Sequence, residues 1–157
     1  MKQTKALICC FLIAVIFTGC GKTESAPAAA VDLQAFMEDA LERYELGMAE
    51  KVGDEMLDAF YPGLRDIDAL QCVVYMPMIT SVVSEYALLQ CADGNNAKQA
   101  AEILQKRIDS QAGGGAWYPE SMEAWAKAEV IVKGNYVAMI AAGDLTEAVA
   151  KDFSALL

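Results

Sequence analysis

The chain has 157 residues, of which 22 are acidic and 12 are Lys or Arg, so its formal net charge at pH 7 is −10. This charge argues against nucleic acid as a partner, because phosphates are bound by Lys and Arg. The chain contains no histidine, which removes the usual general base, the commonest metal ligand and the usual pH switch. The commonest enzyme designs are therefore excluded, and neither a cofactor nor a metal is predicted.

The first 22 residues have the pattern of a bacterial lipoprotein signal peptide. Two lysines precede an apolar run from residue 6 to residue 17, and Gly19-Cys20 follows shortly after it. The run is too short to span a bilayer, which takes about 20 apolar residues, but its length suits the apolar part of a signal peptide. We therefore predict a signal peptide over residues 1–19 and a diacylglyceryl anchor on Cys20.

Residues 20–30 are predicted to form a flexible tether, because they contain no large apolar side chain. Residues 31–157 are then long enough for a single domain. Removal of residues 1–19 removes two lysines and no acid, so the formal charge falls from −10 to about −12. The predicted partner is the lipid bilayer, bound through the acyl chains on Cys20, and the predicted location is the extracytoplasmic face of the cell membrane.

The predicted domain begins with two helices. Apolar residues recur at helical spacing from Leu33 to Tyr44, and Asp32 is a suitable N-cap for this helix. A shorter helix is predicted from about Asp54 to Tyr61, because Pro62-Gly63 ends the pattern there.

Two strands and a long helix are predicted next. Residues Leu70 to Met76 are rich in β-branched and aromatic side chains, which favours a strand. Residues Glu85 to Ala92 are predicted to form the second strand, although their Ala and Leu content also allows a helix. Asn95 or Asn96 is expected to cap the long helix, which should end near Gln111, before three consecutive glycines.

The last third of the chain predicts a helix, a hairpin and a terminal helix. The short helix is expected near Pro119, since a missing N–H costs nothing at a helix start. Residues Glu129 to Lys133 and Tyr136 to Ala142 predict a β-hairpin, because Gly134-Asn135 suits a two-residue turn. An amphipathic helix is predicted from about residue 145 to the end.

The predicted element order is α-α-β-β-α-α-β-β-α. Strand pairs joined by hairpins, with helices between the pairs, are typical of an antiparallel sheet. We therefore expect an α+β fold with about four antiparallel strands in two hairpin-like pairs, covered by helices on one face.

Three short motifs within these elements are shared with a known family. They are Tyr75-Met76-Pro77-Met78, Lys106-Arg107 and Gly134-Asn135-Tyr136-Val137-Ala138. With its lipoprotein-like start and terminal amphipathic helix, the chain resembles DUF4358, an uncharacterised domain-of-unknown-function family of small lipoproteins from Gram-positive bacteria. The resemblance implies a membrane-anchored extracytoplasmic domain, and it transfers no catalytic residue.

Cys72 and Cys91 lie on the two predicted neighbouring strands. A disulfide between them would persist outside the cytoplasm, but free cysteine is also among the most buried residue types. Three interpretations stay open, namely two core thiols, a disulfide and a reactive site. The chain has no Cys-x-x-Cys motif, so nothing in the sequence supports a redox or zinc centre.

The aromatic residues Trp117, Tyr118 and Trp125 form a cluster in the sequence that could either pack in the core or face a partner. Aromatic anchors are enriched at interfaces, but large aromatic side chains also dominate cores. Core packing is the favoured interpretation.

No motif in the sequence assigns a reaction. We expect a non-enzymatic binding or accessory module of the cell envelope, whose partner is an unknown envelope protein or small ligand. The alternative is an envelope hydrolase that uses acidic residues on wall or glycan substrates, which needs two carboxylates about 5–10 Å apart. Acidic pairs such as Asp66 with Asp68 and Glu120 with Glu123 are expected to be solvated instead.

Overall fold

The structure, a computed structural model, describes residues 31–46, 48–79 and 81–157. Residues Val31–Leu157 form one compact unit. The predicted signal peptide over residues 1–19, the anchor on Cys20 and the tether over residues 20–30 lie outside the described residues. Within the described part of the chain, no helix combines the length and the apolar character needed to cross a membrane.

Helices and strands together make up most of the described chain. The α-helices are α1 (Leu33–Arg43), α2 (Asp54–Phe60), α3 (Gly94–Ser110), α4 (Pro119–Trp125) and α5 (Thr146–Leu156). The strands are β1 (Ala49–Lys51), β2 (Ala69–Pro77), β3 (Glu85–Cys91), β4 (Glu129–Lys133) and β5 (Tyr136–Ala141). Short 3₁₀ turns precede β2 and α5, and a π-helical turn, Gln111–Gly115, extends α3.

The strands form one antiparallel sheet in the order β1-β2-β3-β5-β4. Both predicted pairs are present, β2 with β3 and β4 with β5. The pairs join in the middle of the sheet, where Glu85 of β3 lies opposite Ala141 of β5 and Gln90 lies opposite Tyr136. The predicted α+β fold with antiparallel hairpin-like pairs is confirmed.

The strand β1 is an addition to the predicted sheet. It has three residues and pairs with the end of β2, so that Ala49 lies opposite Pro77 and Lys51 lies opposite Tyr75. A segment of this length is too short to show the alternation that identifies a strand in a sequence.

Helices cover both faces of the sheet, so the expectation of one covered face was wrong. On the first face, α2, α3 and α4 pack on the sheet through a cluster that includes Leu57, Leu104, Trp125, Ala87, Leu89 and Met139. On the second face, α1 and α5 pack through a cluster that includes Leu33, Met37, Phe153, Tyr86, Leu88 and Ile140. The central strands β3 and β5 are therefore apolar on both sides, as strands buried on two faces must be.

Carboxylate caps fix the starts of α1 and α3. Asp32 accepts a hydrogen bond from the N–H of Ala35 at 3.0 Å, as predicted. The cap of α3 is Asp93, whose carboxylate accepts from the backbone N–H groups of Asn95 at 2.8 Å and Asn96 at 2.9 Å. The hydrogen bond from the backbone of Asn96 is the main reason that the pKa of Asp93 is lowered. The prediction of Asn95 or Asn96 as the cap was therefore wrong, and α3 begins at Gly94.

Candidate functional site

A cavity of about 530 Å³ lies on the first face of the sheet, between α2, the C-terminal end of α3 and α4. Its lining is mainly apolar and includes Met56, Phe60, Met76, Val82, Trp117 and Trp125. The volume falls within the range of small-ligand sites in proteins, about 300–1,000 Å³. This cavity is the candidate site.

A buried ion pair supplies the polar part of the cavity lining. Glu85 begins β3, and Arg107 lies in the last turn of α3. The Nε of Arg107 donates to Oε1 of Glu85 at 2.8 Å, and Nη2 donates to Oε2 at 3.0 Å. The side chain of Glu85 is 2% exposed and that of Arg107 is 12% exposed. Such a bidentate, charge-assisted pair fixes both side chains in one orientation.

Tyr61 completes the environment of Glu85. The hydroxyl of Tyr61 donates a hydrogen bond to Oε1 of Glu85. Burial raises the pKa of Tyr61 well above its ordinary value, and the charge of Glu85 raises it further. The hydroxyl therefore stays protonated and remains a donor at neutral pH. With this bond and the two from Arg107, Glu85 accepts three hydrogen bonds.

Aromatic rings surround the guanidinium group of Arg107. Its Cζ lies 5.0 Å from the ring centre of Phe60, 5.4 Å from that of Trp125 and 5.8 Å from that of Tyr61. Distances within about 6 Å allow cation–π attraction, which is stronger at desolvated sites. Glu85 engages only Nε and Nη2, and no protein acceptor among the described residues bonds to Nη1. The two N–H groups of that nitrogen are therefore not engaged by the described protein.

The predicted aromatic cluster is divided between the core and the surface. Trp125 is 4% exposed, so the prediction of core packing is confirmed for this residue. Trp117 is 86% exposed and Tyr118 is 46% exposed, so the prediction is wrong for them. The chain leaves the cavity wall at Trp117 before Pro119 starts α4, and this short connection holds the indole at the rim.

Glycines allow the chain to turn tightly along one wall of the cavity. The π-helical turn closes with a hydrogen bond from the N–H of Ala116 to the carbonyl of Gln111 at 3.1 Å. Gly114 has a φ of 121°, a conformation that favours glycine. A Cβ atom on Gly115 would lie 2.6 Å from the carbonyl oxygen of Ser110. The three consecutive glycines therefore include two that this turn requires.

The two cysteines of the domain are free thiols. In the β2–β3 register Cys72 lies opposite Leu89 and Cys91 lies opposite Ala69, so the cysteines are diagonal neighbours rather than a facing pair. Cys91 is buried in the core, whereas Cys72 reaches solvent. Desolvation of the Cys72 sulfur is the main reason that its pKa is raised to about 11. A raised pKa opposes a reactive thiolate, and a disulfide formed under oxidising conditions stays one of the open interpretations.

The acidic pairs that a hydrolase would use are not gathered in the cavity. Asp66, Asp68, Glu120 and Glu123 are all exposed. Among the described residues that line the cavity, Glu85 is the only carboxylate. The part of the chain that the structure describes holds no group of three or more His, Cys, Asp or Glu side chains able to bind a metal ion. The cavity thus offers apolar contacts and hydrogen-bond donors.

The Glu85–Arg107 pair was not among the predicted site residues. A signal was present, because Glu85 opens a strand whose next four residues, Tyr-Ala-Leu-Leu, are apolar and buried. A carboxylate in such a strand needs a partner of opposite charge or several donors. The identity of that partner, 22 residues along the chain, depends on how α3 packs on the sheet.

Fold and site together define a small α+β protein with helices on both faces of an antiparallel sheet. A mainly apolar cavity, with one carboxylate in its described lining, lies on the first of these faces. The chain belongs to the family Domain of unknown function (DUF4358), whose family model matches residues 42–142. This confirms the resemblance seen in the sequence. The matched range contains the whole cavity lining and the Glu85–Arg107 pair. No curated protein and no solved structure was found to match the chain.

Proposed function

We propose that the chain is a lipid-anchored extracytoplasmic binding module of the cell envelope, and that the cavity beside Glu85 and Arg107 is its binding site. The observation that carries the binding role is the cavity itself. It combines a mainly apolar lining with one fixed polar group. Ligand sites have this composition, because apolar contacts supply affinity and a few polar groups orient the ligand.

The chemistry of the polar group favours binding over hydrolysis. The carboxylate of Glu85 already accepts three hydrogen bonds, which engage most of its lone pairs. Arg107 stays protonated and cannot act as a base. A hydrolase of the expected kind needs a second carboxylate across the cleft, whereas the remaining donors of Arg107 suit the recognition of a hydrogen-bond acceptor.

Binding to the cavity is tested with the neutral fluorescent probe N-phenyl-1-naphthylamine and purified residues 31–157. This segment contains both hydrophobic clusters and forms one compact unit. We expect a saturable rise in probe fluorescence, because the apolar lining removes the probe from water. The substitution Val82→Trp places an indole at the cavity wall and should weaken probe binding by at least about tenfold, since the ring takes up space and apolar surface that the probe would use.

The matched control is Val132→Trp, which adds the same ring at an exposed position of β4, away from the cavity. Probe binding should be unchanged in this variant. Circular dichroism of both variants checks that they fold. A fluorescence rise that never saturates, or equal affinities in the two variants, would contradict a binding site in this cavity.

The anchor is tested on the full chain in a Gram-positive host by metabolic labelling with a fatty-acid probe. The N-terminal pattern supports lipidation of Cys20, and two acyl chains hold a protein firmly whereas one chain is marginal. We expect the wild-type protein to take up the label and to fractionate with membranes. Cys20→Ala should lose both properties, and label retained by that variant would refute the anchor.

A further inference from the structure

We infer that the cavity docks a short basic segment of a partner protein, with an apolar side chain of that segment inside the cavity. This inference rests on the proposed binding function and adds the chemistry of the partner. It combines three observations, which are an exposed apolar rim, acidic helices on two sides and unused donors at Arg107.

The rim of the cavity is unusually apolar for a surface. Met56, Phe60 and Trp117 all line the cavity and are 42%, 38% and 86% exposed. Met78, which follows the lining residue Pro77, is 63% exposed. Grouped exposed apolar side chains mark interaction sites. Methionine adapts to varied partners, and tryptophan is among the commonest anchors at interfaces.

Two of the three helices that line the cavity, α2 and α4, carry exposed carboxylates. On α2, Asp54 and Asp58 are bridged by Arg65 at 3.0 and 2.7 Å. Glu55 on the same helix and Glu120 on α4 are exposed carboxylates with no ion-pair partner among the described residues. The charge of the Glu85–Arg107 pair sums to zero, so it does not offset these acids. Complementary charge therefore favours a cationic partner and disfavours an anionic one.

The unused donors of Arg107 fit the backbone of such a partner. Its Nη1 keeps two N–H groups beside an apolar lining. A peptide carbonyl is a neutral acceptor for these donors, and it brings no negative charge near the acidic helices. A segment with an apolar side chain next to Lys or Arg satisfies the rim, the charge and the donors together.

The test uses three fluorescently labelled peptides and purified residues 31–157. The peptides share a leucine and phenylalanine core and differ only at the polar positions, which carry lysine, serine or glutamate. Fluorescence anisotropy at low ionic strength should show the lysine peptide binding at least about tenfold more tightly than the glutamate peptide, with serine between them. Added salt should reduce this difference, because exposed charges are screened.

Charge reversals locate the surface that the peptide uses. Glu55→Lys and Glu120→Lys should each weaken binding of the lysine peptide by about threefold, as expected for single exposed charges. Glu42→Lys makes the same charge change on α1, over the opposite face of the sheet, and should leave binding unchanged. Val82→Trp should weaken both peptide and probe binding.

The other possible outcomes of the peptide and probe experiments each count against the inferred basic partner. Equal binding of the three peptides, or tighter binding of the glutamate peptide, would overturn the basic partner. If no peptide binds while N-phenyl-1-naphthylamine still does, the cavity takes a small apolar ligand, so the inference fails and the proposed function stands. If neither peptide nor probe binds, the proposed binding site fails as well.

Discussion

Glu85 is the residue on which the arrangement of the cavity depends. Its carboxylate is almost wholly buried and is held by Arg107 and Tyr61. Burial of a charge costs several kcal/mol unless a partner and further hydrogen bonds offset the loss of water. The pair is thus weak evidence for stability in itself, but removal of one member leaves the other charge without compensation.

The substitution Glu85→Gln is expected to lower the free energy of unfolding by about 3–5 kcal/mol, because the buried guanidinium of Arg107 loses its counter-charge. Urea denaturation followed by circular dichroism measures the change. The control is Asp144→Asn, which breaks the exposed Lys127–Asp144 pair at 2.5 Å and should hardly move the midpoint. Equal urea midpoints for the two variants would show that the buried Glu85–Arg107 pair matters no more for stability than the exposed Lys127–Asp144 pair.

Tyr86 is expected to make the stability of the domain fall at alkaline pH. Its side chain is fully buried, its hydroxyl lies 3.0 Å from Oγ of Ser84, and burial raises its pKa to about 12. The folded state therefore holds this proton more tightly than the unfolded state, where tyrosine ionises near pH 10. The stabilisation that the protonated Tyr86 gives the folded state is fully present below about pH 10 and is lost as the pH rises to about 12. This loss lowers the free energy of unfolding by about 2–3 kcal/mol.

Urea denaturation at about pH 9 and about pH 11.5 tests this linkage. The wild type should lose more stability between the two values than Tyr86→Phe, which has no proton to release. Tyr61 also has a raised pKa, but it is present in both proteins and cancels in the comparison. The same loss in both proteins would contradict the linkage.

At the junction between α3 and α4, the effect of a Gly→Ala substitution on stability depends on which glycine is replaced. Gly115→Ala is expected to destabilise the domain by about 1–3 kcal/mol, because the added Cβ overlaps the carbonyl oxygen of Ser110. Gly113→Ala is the matched control, since a Cβ there meets nothing within 4 Å and restricts the unfolded chain. In thermal denaturation, Gly113→Ala should have a melting temperature equal to or above that of the wild type. Equal losses of stability in the two variants would show that the turn does not specifically require Gly115.

Helices and hairpins could be predicted because their signals are local. The helical spacing of Leu33, Met37 and Ala40 indicates α1, and Gly134-Asn135 indicates the β4–β5 turn. The same spacing shows that α1 is buried on one side but carries no information on which sheet face covers it. The second covered face was missed for this reason, whereas β1 was missed because its three residues are too few to show alternation.

The candidate site was harder to predict than the elements, because it depends on contacts between distant segments. Trp125 and Trp117 lie eight residues apart in the sequence and have opposite exposures, which composition does not distinguish. Glu85 and Arg107 meet only because α3 packs on β3 with its last turn over the start of the strand. A buried carboxylate could be expected from the strand pattern, but its partner could not.

At the scale of the whole molecule, one sheet separates two hydrophobic clusters. Leu89 of β3 and Met139 of β5 face the first cluster, while Leu88 and Ile140 of the same strands face the second. Because the two clusters share strands, loss of one exposes the backbone that supports the other. We therefore expect the domain to unfold in a single cooperative transition.

Phe153→Ala tests this coupling from the second cluster. Phe153 is fully buried and packs edge-on against Phe36 with ring centres 5.8 Å apart, so its truncation should cost about 3–5 kcal/mol. In a Trp117→Phe background, Trp125 in the first cluster is the sole remaining tryptophan. Its fluorescence midpoint in urea should shift by the same amount as the circular dichroism midpoint.

The control for this experiment is Leu156→Ala, which truncates a side chain on α5 that is 39% exposed and should shift both midpoints only slightly. Two separate transitions in Phe153→Ala, with Trp125 unaffected by the first, would show that the clusters unfold independently.

The edge position of β4 has a consequence for the behaviour of many copies together. Edge strands present unpaired N–H and C=O groups that can recruit further strands, and β4 is apolar from Val130 to Val132. Fibrils stack identical strands in register about 4.7 Å apart. In parallel stacking of that kind, every Glu129 would meet another Glu129, and every Lys133 another Lys133. The charges that bracket this strand therefore oppose amyloid growth from its edge.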